Sequence, residues 1–392
     1  MPKTTQDSRA TTTLEPAGFE QLVTALTSEG YRVIGPTVRD SAVVYDDITS
    51  ASELPIGWTD HQEGGTYRLE KTDSPAYFGY TLSPQSWKNF LFPPAVRLWQ
   101  AQRSGTQIEI HSEANGNLQP QRMAFVGVRP CELSAIEIQD RVFLGHQHAD
   151  PIYSARRENL FIVAVNCTQP ASTCFCTSMN TGPRTHSGFD IALTEVVADD
   201  RHYFVAEAGS ERGAVVLDLI PQTTTTTAEA QTVSKRLREA EQHIVRSVNT
   251  KGLKERLYRS YDHPHWDEVA TRCLVCGNCT MVCPTCFCTT VEDVTDLSGD
   301  NAERWRKWDS CFSLDFSYIY GGSLRTSAKA RYRQWLMHKM ATWQDQFDTL
   351  GCVGCGRCIT WCPVGIDITE ETRAVQVSEP APARRKRSGR VE

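Results

Sequence analysis

The sequence predicts an α+β protein in two parts, a mixed α/β amino-terminal domain and a mostly helical carboxy-terminal domain. Two apolar runs, residues 123–128 and 160–165, flank a helical stretch. Strand, helix, strand is the order of a parallel βαβ unit. The Thr-rich residues 222–227 are typical of a linker, and an Ala-, Glu- and Arg-rich helical stretch follows them. We therefore place the first domain at residues 1–225 and the second at residues 226–376.

Local patterns predict the first elements of the chain. Residues 1–13 are polar and Thr-rich, which favours a disordered lead. Residues 16–29 carry apolar side chains on one helical face, and Gly30 is the expected C-cap. Short strands are expected at residues 31–34 and 42–45. The segment from there to the first apolar run has no pattern from which a fold can be predicted.

Four cysteines lie near the carboxyl ends of the two predicted buried strands: Cys131, Cys167, Cys174 and Cys176. Ligands usually bind at this edge of an open α/β sheet. Two interpretations remain open. The thiols are either buried as small apolar groups or they form a third metal centre, for which a [4Fe–4S] cluster is a better candidate than zinc.

The carboxy-terminal part contains the pattern C-x2-C-x2-C-x3-C-P twice. The first run is Cys273, Cys276, Cys279 and Cys283, and the second is Cys352, Cys355, Cys358 and Cys362. Bacterial-type ferredoxins hold [4Fe–4S] clusters with this pattern, so the sequence predicts a dicluster ferredoxin-like domain with two clusters. Gly277 and Gly356 lack a Cβ and permit the left-handed turns that bring the backbone close to a cluster.

The fourth cysteine of each run is expected to bind the cluster of the other run, as in two-cluster ferredoxins. Cys362 would then complete the site of the first run, and Cys283 that of the second. Zinc ribbons use paired C-x2-C motifs rather than three cysteines in register. Disulfide frameworks belong to short secreted chains, whereas this chain has 392 residues.

The segment around and between the two runs holds three further cysteines, Cys286, Cys288 and Cys311. They could bind another cluster together with Asp309 or a ligand from outside the chain, or they could shield and tune the neighbouring cluster, which we favour. Residues 328–347 read as an amphipathic helix that covers the clusters. Its apolar face consists of Tyr332, Trp335, Leu336, Met340, Trp343 and Phe347.

Composition excludes several classes of protein. A formal net charge of -6, with no basic stripe before the tail, argues against a nucleic-acid binder. No apolar run has the length of about 18 residues that a membrane span needs, and the polar start has no signal-peptide core. The 15 cysteines then fit a reducing cytoplasm. Residues 377–392, Pro/Ala-rich and then basic, are expected to be a disordered tail.

Motifs from both parts together resemble one family. They are Gly127-Val-Arg-Pro-Cys131, Asn166-Cys167, Cys174-Phe-Cys-Thr-Ser178, Cys283-Pro-Thr-Cys-Phe-Cys288 and Cys355-Gly-Arg-Cys-Ile-Thr-Trp-Cys-Pro363. The combination resembles the beta subunit of soluble NAD(P)-linked nickel–iron hydrogenases of the sulfhydrogenase type. The A subunit of anaerobic sulfite reductases is related and shares most of these motifs.

The resemblance implies a non-catalytic iron–sulfur subunit that relays single electrons. Its partners would be a flavin- and NAD(P)-binding subunit and the small and large [NiFe] hydrogenase subunits. No G-x-G-x-x-G follows a predicted strand, so no dinucleotide fingerprint is present and no catalytic residue is expected. The alternative is an electron-transfer subunit of an anaerobic sulfite or sulfur reductase.

Overall fold

The computed structural model of the chain describes residues 10–112, 121–145, 147–198 and 201–377. Most of the predicted lead, residues 1–9, and the tail from residue 378 lie outside the described residues. Thr11–Leu14 form a strand, so the prediction of disorder is wrong for the last residues of the lead. The reason is that threonine is β-branched and suits a strand once a partner is present.

The strands of the described residues fall into four sheets. Their bounds are β1 Thr11–Leu14, β2 Arg32–Arg39, β3 Ala42–Asp47, β4 Trp58–Glu63, β5 Thr66–Lys71, β6 Ala95–Ser104, β7 Gln107–Ser112, β8 Met123–Val128, β9 Leu160–Val165, β10 Ile191–Ala198, β11 Arg201–Ala208, β12 Thr223–Thr224, β13 Thr289–Thr295, β14 Asn301–Trp308, β15 Tyr318–Ile319 and β16 Gly322–Ser323.

Helices cover the sheets and build most of the cysteine-rich part. Their bounds are α1 Pro16–Ser28, α2 Lys88–Leu91, α3 Pro130–Phe143, α4 Pro151–Glu158, α5 Glu211–Asp218, α6 Thr227–His243, α7 Leu253–Arg259, α8 His265–Arg272, α9 Asn278–Met281, α10 Ala328–Met337, α11 Trp343–Phe347, α12 Arg357–Thr360 and α13 Ile368–Val377. A π-helical turn, His338–Thr342, connects α10 to α11. Within the described ranges, no helix is both long and apolar enough to cross a bilayer.

The main sheet has the strand order β12-β1-β11-β10-β9-β8-β2-β3. β8 pairs parallel with β9, and α3 and α4 connect them, so the predicted βαβ unit is confirmed. Both strands are buried at every residue, because apolar side chains of the sheet pack on both faces. Helix α1 covers one face with its predicted apolar side, and Gly30 follows it with φ +80°.

The two parts of the chain share a sheet. β13 and β14, which lie between the two cysteine runs, continue the hairpin of β6 and β7 in the order β13-β14-β6-β7. β14 pairs antiparallel with β6, from Asn301 opposite Gln102 to Lys307 opposite Ala95. The fold is therefore mixed α/β, and the carboxy-terminal part combines helices with strands.

A second core lies beneath the cysteine runs. The predicted amphipathic stretch is helical, and its side chains Tyr332, Trp335, Leu336, Met340 and Trp343 are buried. Cysteines of both runs pack against the core that the first four of these side chains share with α7 and α8, and Trp343 belongs to a smaller neighbouring cluster. The expectation that this face is core is confirmed for these five side chains; that it keeps water from clusters stays a prediction.

Candidate metal centres

Left-handed glycines shape both cysteine loops. Gly277 and Gly356 have φ of +77° and +79° and precede the short helices α9 and α12. A Cβ on Gly356 would lie 2.6 Å from the main-chain oxygen of Thr173, so only glycine fits against the amino-terminal part there. The predicted conformation of both glycines is confirmed, and the second loop lies directly against the segment of Cys174 and Cys176.

A cavity lies at the first run. Its walls include Cys273, Cys276 and Cys279 of that run together with Cys362 and Cys358 of the second run. The remaining walls are largely apolar and include Phe312, Tyr332, Trp335 and Ile366. Cys362, which sequence reasoning assigned to this site, therefore faces the three cysteines of the first run.

Cys283 belongs spatially to the second run. Burial is the main cause that raises the pKa of the Cys352 thiol to about 12; the neighbouring Cys355 and Cys283 thiols add to the rise, whereas Lys339 and the main-chain N–H of Gly354 oppose it. Burial also raises the pKa of Cys358 well above its ordinary value, again with Cys352, Cys355 and Cys283 adding to the shift. The fourth cysteine of each run thus lies with the three cysteines of the other run.

The amino-terminal quartet converges on a second cavity. Its walls include Cys131, Cys167, Cys174 and Cys176, and also Cys355 of the second run. Burial is the main cause that raises the pKa of all four quartet thiols, to about 12 for Cys176. Buried thiols of this kind ionise only when a metal takes the place of the proton.

Buried arginines line the space between the quartet and the second run. Arg129, on the wall of the quartet cavity, is 3% exposed and donates to the main-chain oxygens of Phe78 and Asn166. Its Nε has no hydrogen-bond partner among the described residues, whereas Arg357 lies close to the Cys355 thiol. An unpaired buried donor is costly, and sulfide or thiolate acceptors of a cluster would satisfy it.

These observations fit iron–sulfur clusters at the three cysteine groups. The thiols supply the ligand type that such clusters require, and the cavities are lined by apolar side chains and, at the quartet, by a buried donor. Among the described residues, no three His, Cys, Asp or Glu side chains are close enough to hold a single metal ion. The quartet and first-run cysteines instead line cavities.

The three remaining cysteines lie beside the dicluster region. The thiol of Cys288 hydrogen-bonds with that of Cys311, and the thiol of Cys286 with that of Cys283. The Asp309 carboxylate accepts from the main-chain N–H of Ser310 at 2.6 Å and from the Ser313 hydroxyl at 2.7 Å.

Sequence reasoning did not identify the buried basic residues Arg129, Arg357, Lys88 and Lys339. A signal existed for Lys339, because it lies three residues after Leu336 and four after Trp335, on the apolar face of the predicted helix. Arg357 likewise lies inside the second cysteine run. A charged side chain that is exposed to solvent is not expected at either position.

Comparisons with known proteins agree with this geometry. Residues 272–366 match the family described as 4Fe-4S dicluster domain. The chain is similar to sulfhydrogenase 2 subunit beta of Pyrococcus furiosus, with 29% identity over 341 residues, which covers 86% of this chain and 90% of the relative. No solved structure matches the chain. The predicted resemblance is confirmed, and the carboxy-terminal region carries an iron–sulfur domain.

Proposed function

We propose that this chain is the iron–sulfur electron-transfer subunit of a cytoplasmic, NAD(P)-linked [NiFe] hydrogenase complex. The observation that carries the proposal is the exchange of cysteines between the two runs. Cys362 faces the first run, and Cys283 lies with the second. Similarity to a sulfhydrogenase beta subunit supports the hydrogenase context over the sulfite reductase alternative.

Two [4Fe–4S] clusters are proposed for the dicluster region. Cys273, Cys276, Cys279 and Cys362 would hold the first cluster, and Cys352, Cys355, Cys358 and Cys283 the second. Such clusters accept and release one electron at a time. Because Cys358, a ligand of the second cluster, also lines the cavity of the first, the two sites are direct neighbours.

A third [4Fe–4S] cluster is proposed at Cys131, Cys167, Cys174 and Cys176. Its cavity shares Cys355 with the second site, as the first cavity shares Cys358. The three sites would therefore follow one another, with the second in the middle. A relay requires this kind of succession, whereas a cluster that only stabilised the fold would need no neighbour.

The first site reaches the surface. Cys276 is exposed, and Leu274 and Val364 beside it are 63% and 42% exposed. The quartet thiols, in contrast, are all buried. We propose that one partner subunit exchanges electrons at the Cys276 surface. The partners of the complex would be the flavin- and NAD(P)-binding subunit and the small and large hydrogenase subunits.

The remaining side chains of the dicluster region keep water away from the sites and hold the ligand loops. Tyr332 and Trp335 close the first cavity from the side of α10. The guanidinium of Arg357 donates to the main-chain oxygen of Ser83 at 2.7 Å and so ties the second loop to the amino-terminal part. A rigid, dry surrounding reduces the rearrangement that accompanies each electron transfer.

The test uses the complex purified with its partner subunits and the variant Cys355→Ser. We expect dye-linked hydrogen oxidation by the large subunit to remain intact, because that assay bypasses this chain. NAD(P)-linked hydrogen turnover should fall to background. Cys311→Ser is the matched control, since it makes the same change at a buried cysteine outside both runs, and it should retain most of the linked activity.

Two outcomes would contradict the proposal. Survival of both activities in Cys355→Ser would remove the chain from the electron path. Loss of both activities in an assembled complex would mean that the chain takes part in catalysis directly. A sirohaem-containing rather than a nickel-containing partner would favour the sulfite reductase alternative.

A further inference from the structure

Lys339 is a buried cation in the dicluster region that the cysteine motifs do not account for. It lies in the π-helical turn His338–Thr342, and only 3% of the residue is exposed. π-Helical turns are rare and occur frequently at functional sites, because they redirect side chains that a regular helix would place elsewhere. Here the turn holds an ammonium group inside the core beneath the second run.

The three N–H donors of this ammonium have three acceptors within reach. The Nζ atom is 3.0 Å from Sγ of Cys283, 3.3 Å from Oγ1 of Thr285 and 3.3 Å from the main-chain oxygen of Gly351. Gly351 immediately precedes Cys352, and Cys283 is the proposed fourth ligand of the same cluster. In the loaded protein, the Cys283 thiol of this structure stands for a metal-bound thiolate.

The charge of Lys339 has no carboxylate partner among the described residues. The groups that most favour its charge electrostatically are thiols, those of Cys283, Cys286 and Cys352. A buried cation is stable only beside a compensating anion. A cluster held by thiolates is such an anion, and a hydrogen bond to a cluster sulfur together with local charge sets the reduction potential.

We propose that Lys339 is a positioning residue that raises the reduction potential of the cluster held by Cys352, Cys355, Cys358 and Cys283. This inference rests on the proposed function. Reduction adds one negative charge to the cluster, and a fixed positive charge in contact with a ligand sulfur favours that state. Without the charge, the same cluster is harder to reduce.

The experiment is a redox titration of the full chain, loaded with iron and sulfide and followed by electron paramagnetic resonance. Lys339→Met and Lys339→Gln remove the charge, and Lys339→Arg keeps it. Both neutral variants should lower one midpoint by at least about tenfold in the reduction equilibrium, or about 59 mV for one electron. The arginine variant should stay closer to the unchanged protein.

Lys88→Met is the matched control. Lys88 is also a buried lysine in this region, but its Nζ donates to the main-chain oxygen of Cys286 at 3.1 Å and lies 3.7 Å from the centre of the Trp308 ring. It therefore tests the removal of a buried cation that does not donate to a proposed ligand sulfur. The midpoint should shift less in Lys88→Met than in Lys339→Met.

Unchanged midpoints in a fully loaded Lys339→Gln protein would overturn the inference, as would an equal shift in Lys88→Met. If the neutral variants fail to bind the second cluster while the arginine variant binds it, the result still supports a role for the positive charge at residue 339. If all three fail, shape and not charge is responsible, and the inference is wrong. A chain that binds no iron even without substitution refutes the proposed function instead.

Discussion

The ion pair between Arg357 and Glu132 allows a stability prediction with a worked magnitude. Nη2 of Arg357 lies 2.6 Å from Oε1 of Glu132, and both side chains are 1% exposed. The hydroxyl of Tyr45 donates to the other carboxylate oxygen at 2.8 Å. The pair joins α3, which carries Cys131, to the loop of Cys355 and Cys358. Glu132→Gln leaves the guanidinium buried without its counter-charge.

Removal of one partner from a buried ion pair costs about 3 to 5 kcal/mol, because the other charge stays uncompensated. With an m-value of about 3 kcal/mol per molar urea, this cost lowers the midpoint of unfolding by about 1 to 1.7 M. The assay is urea denaturation of the iron-loaded chain, followed by the visible absorbance of the clusters. Glu239→Gln is the control, because its carboxylate pairs with Lys235 on the exposed face of α6, and it should leave the midpoint nearly unchanged.

The double variant Glu132→Met with Arg357→Met tests the cause. If the unpaired charge is responsible, removal of both charges should be less destabilising than the sum of the single changes. Recovery should be partial, because Arg357 also donates to the main-chain oxygens of Ser83 and Gln85, at 2.7 and 2.9 Å. A Glu132→Gln midpoint equal to that of the unchanged chain, or strictly additive effects, would refute the reasoning.

Further predictions concern the clusters themselves. Cys283→Ser should weaken the cluster of the second run and spare that of the first; spectra that show the reverse would contradict the exchange of ligands. Iron and sulfide should each exceed about eight per chain, the content of two [4Fe–4S] clusters, and Cys174→Ala should remove the excess. A plateau at eight in the unchanged chain would eliminate the third cluster, and stoichiometric zinc would replace it with a structural site.

Much of the fold follows from local signals in the sequence. β8 and β9 could be predicted because a strand buried on both faces must be apolar throughout, and such runs are rare. The turns at Gly277 and Gly356 could be predicted because the C-x2-C-x2-C spacing allows few backbone conformations that bring three thiols to one cluster. The few residues that form each of these elements are enough to predict it.

The shared sheet could not be predicted, because neither β6 nor β14 has a recognisable strand pattern when it is considered without its partner strand. β6 and β14 are partly buried and mix charged with apolar side chains, so neither shows a clean alternation. Their pairing also joins segments from either side of the presumed linker. The same reason explains β1, whose threonines look unstructured until β11 supplies the hydrogen bonds.

Buried cations lie both at the quartet and at the second cysteine run. Arg129 lies in the wall of the quartet cavity, Arg357 lies beside that cavity, and Lys339 lies at the second run. Within the described residues, Arg357 has a carboxylate partner, whereas no ion pair is found for Arg129 or Lys339. Cations so deeply buried require anions of comparable charge nearby. Protonated thiols cannot provide them, and burial raises the pKa values of Cys131, Cys174 and Cys358; the pKa of Cys283, which interacts with Cys286 and Lys339, is instead lowered well below its ordinary value. Thiolates bound to iron can, and folding of this region is therefore expected to depend on cluster assembly.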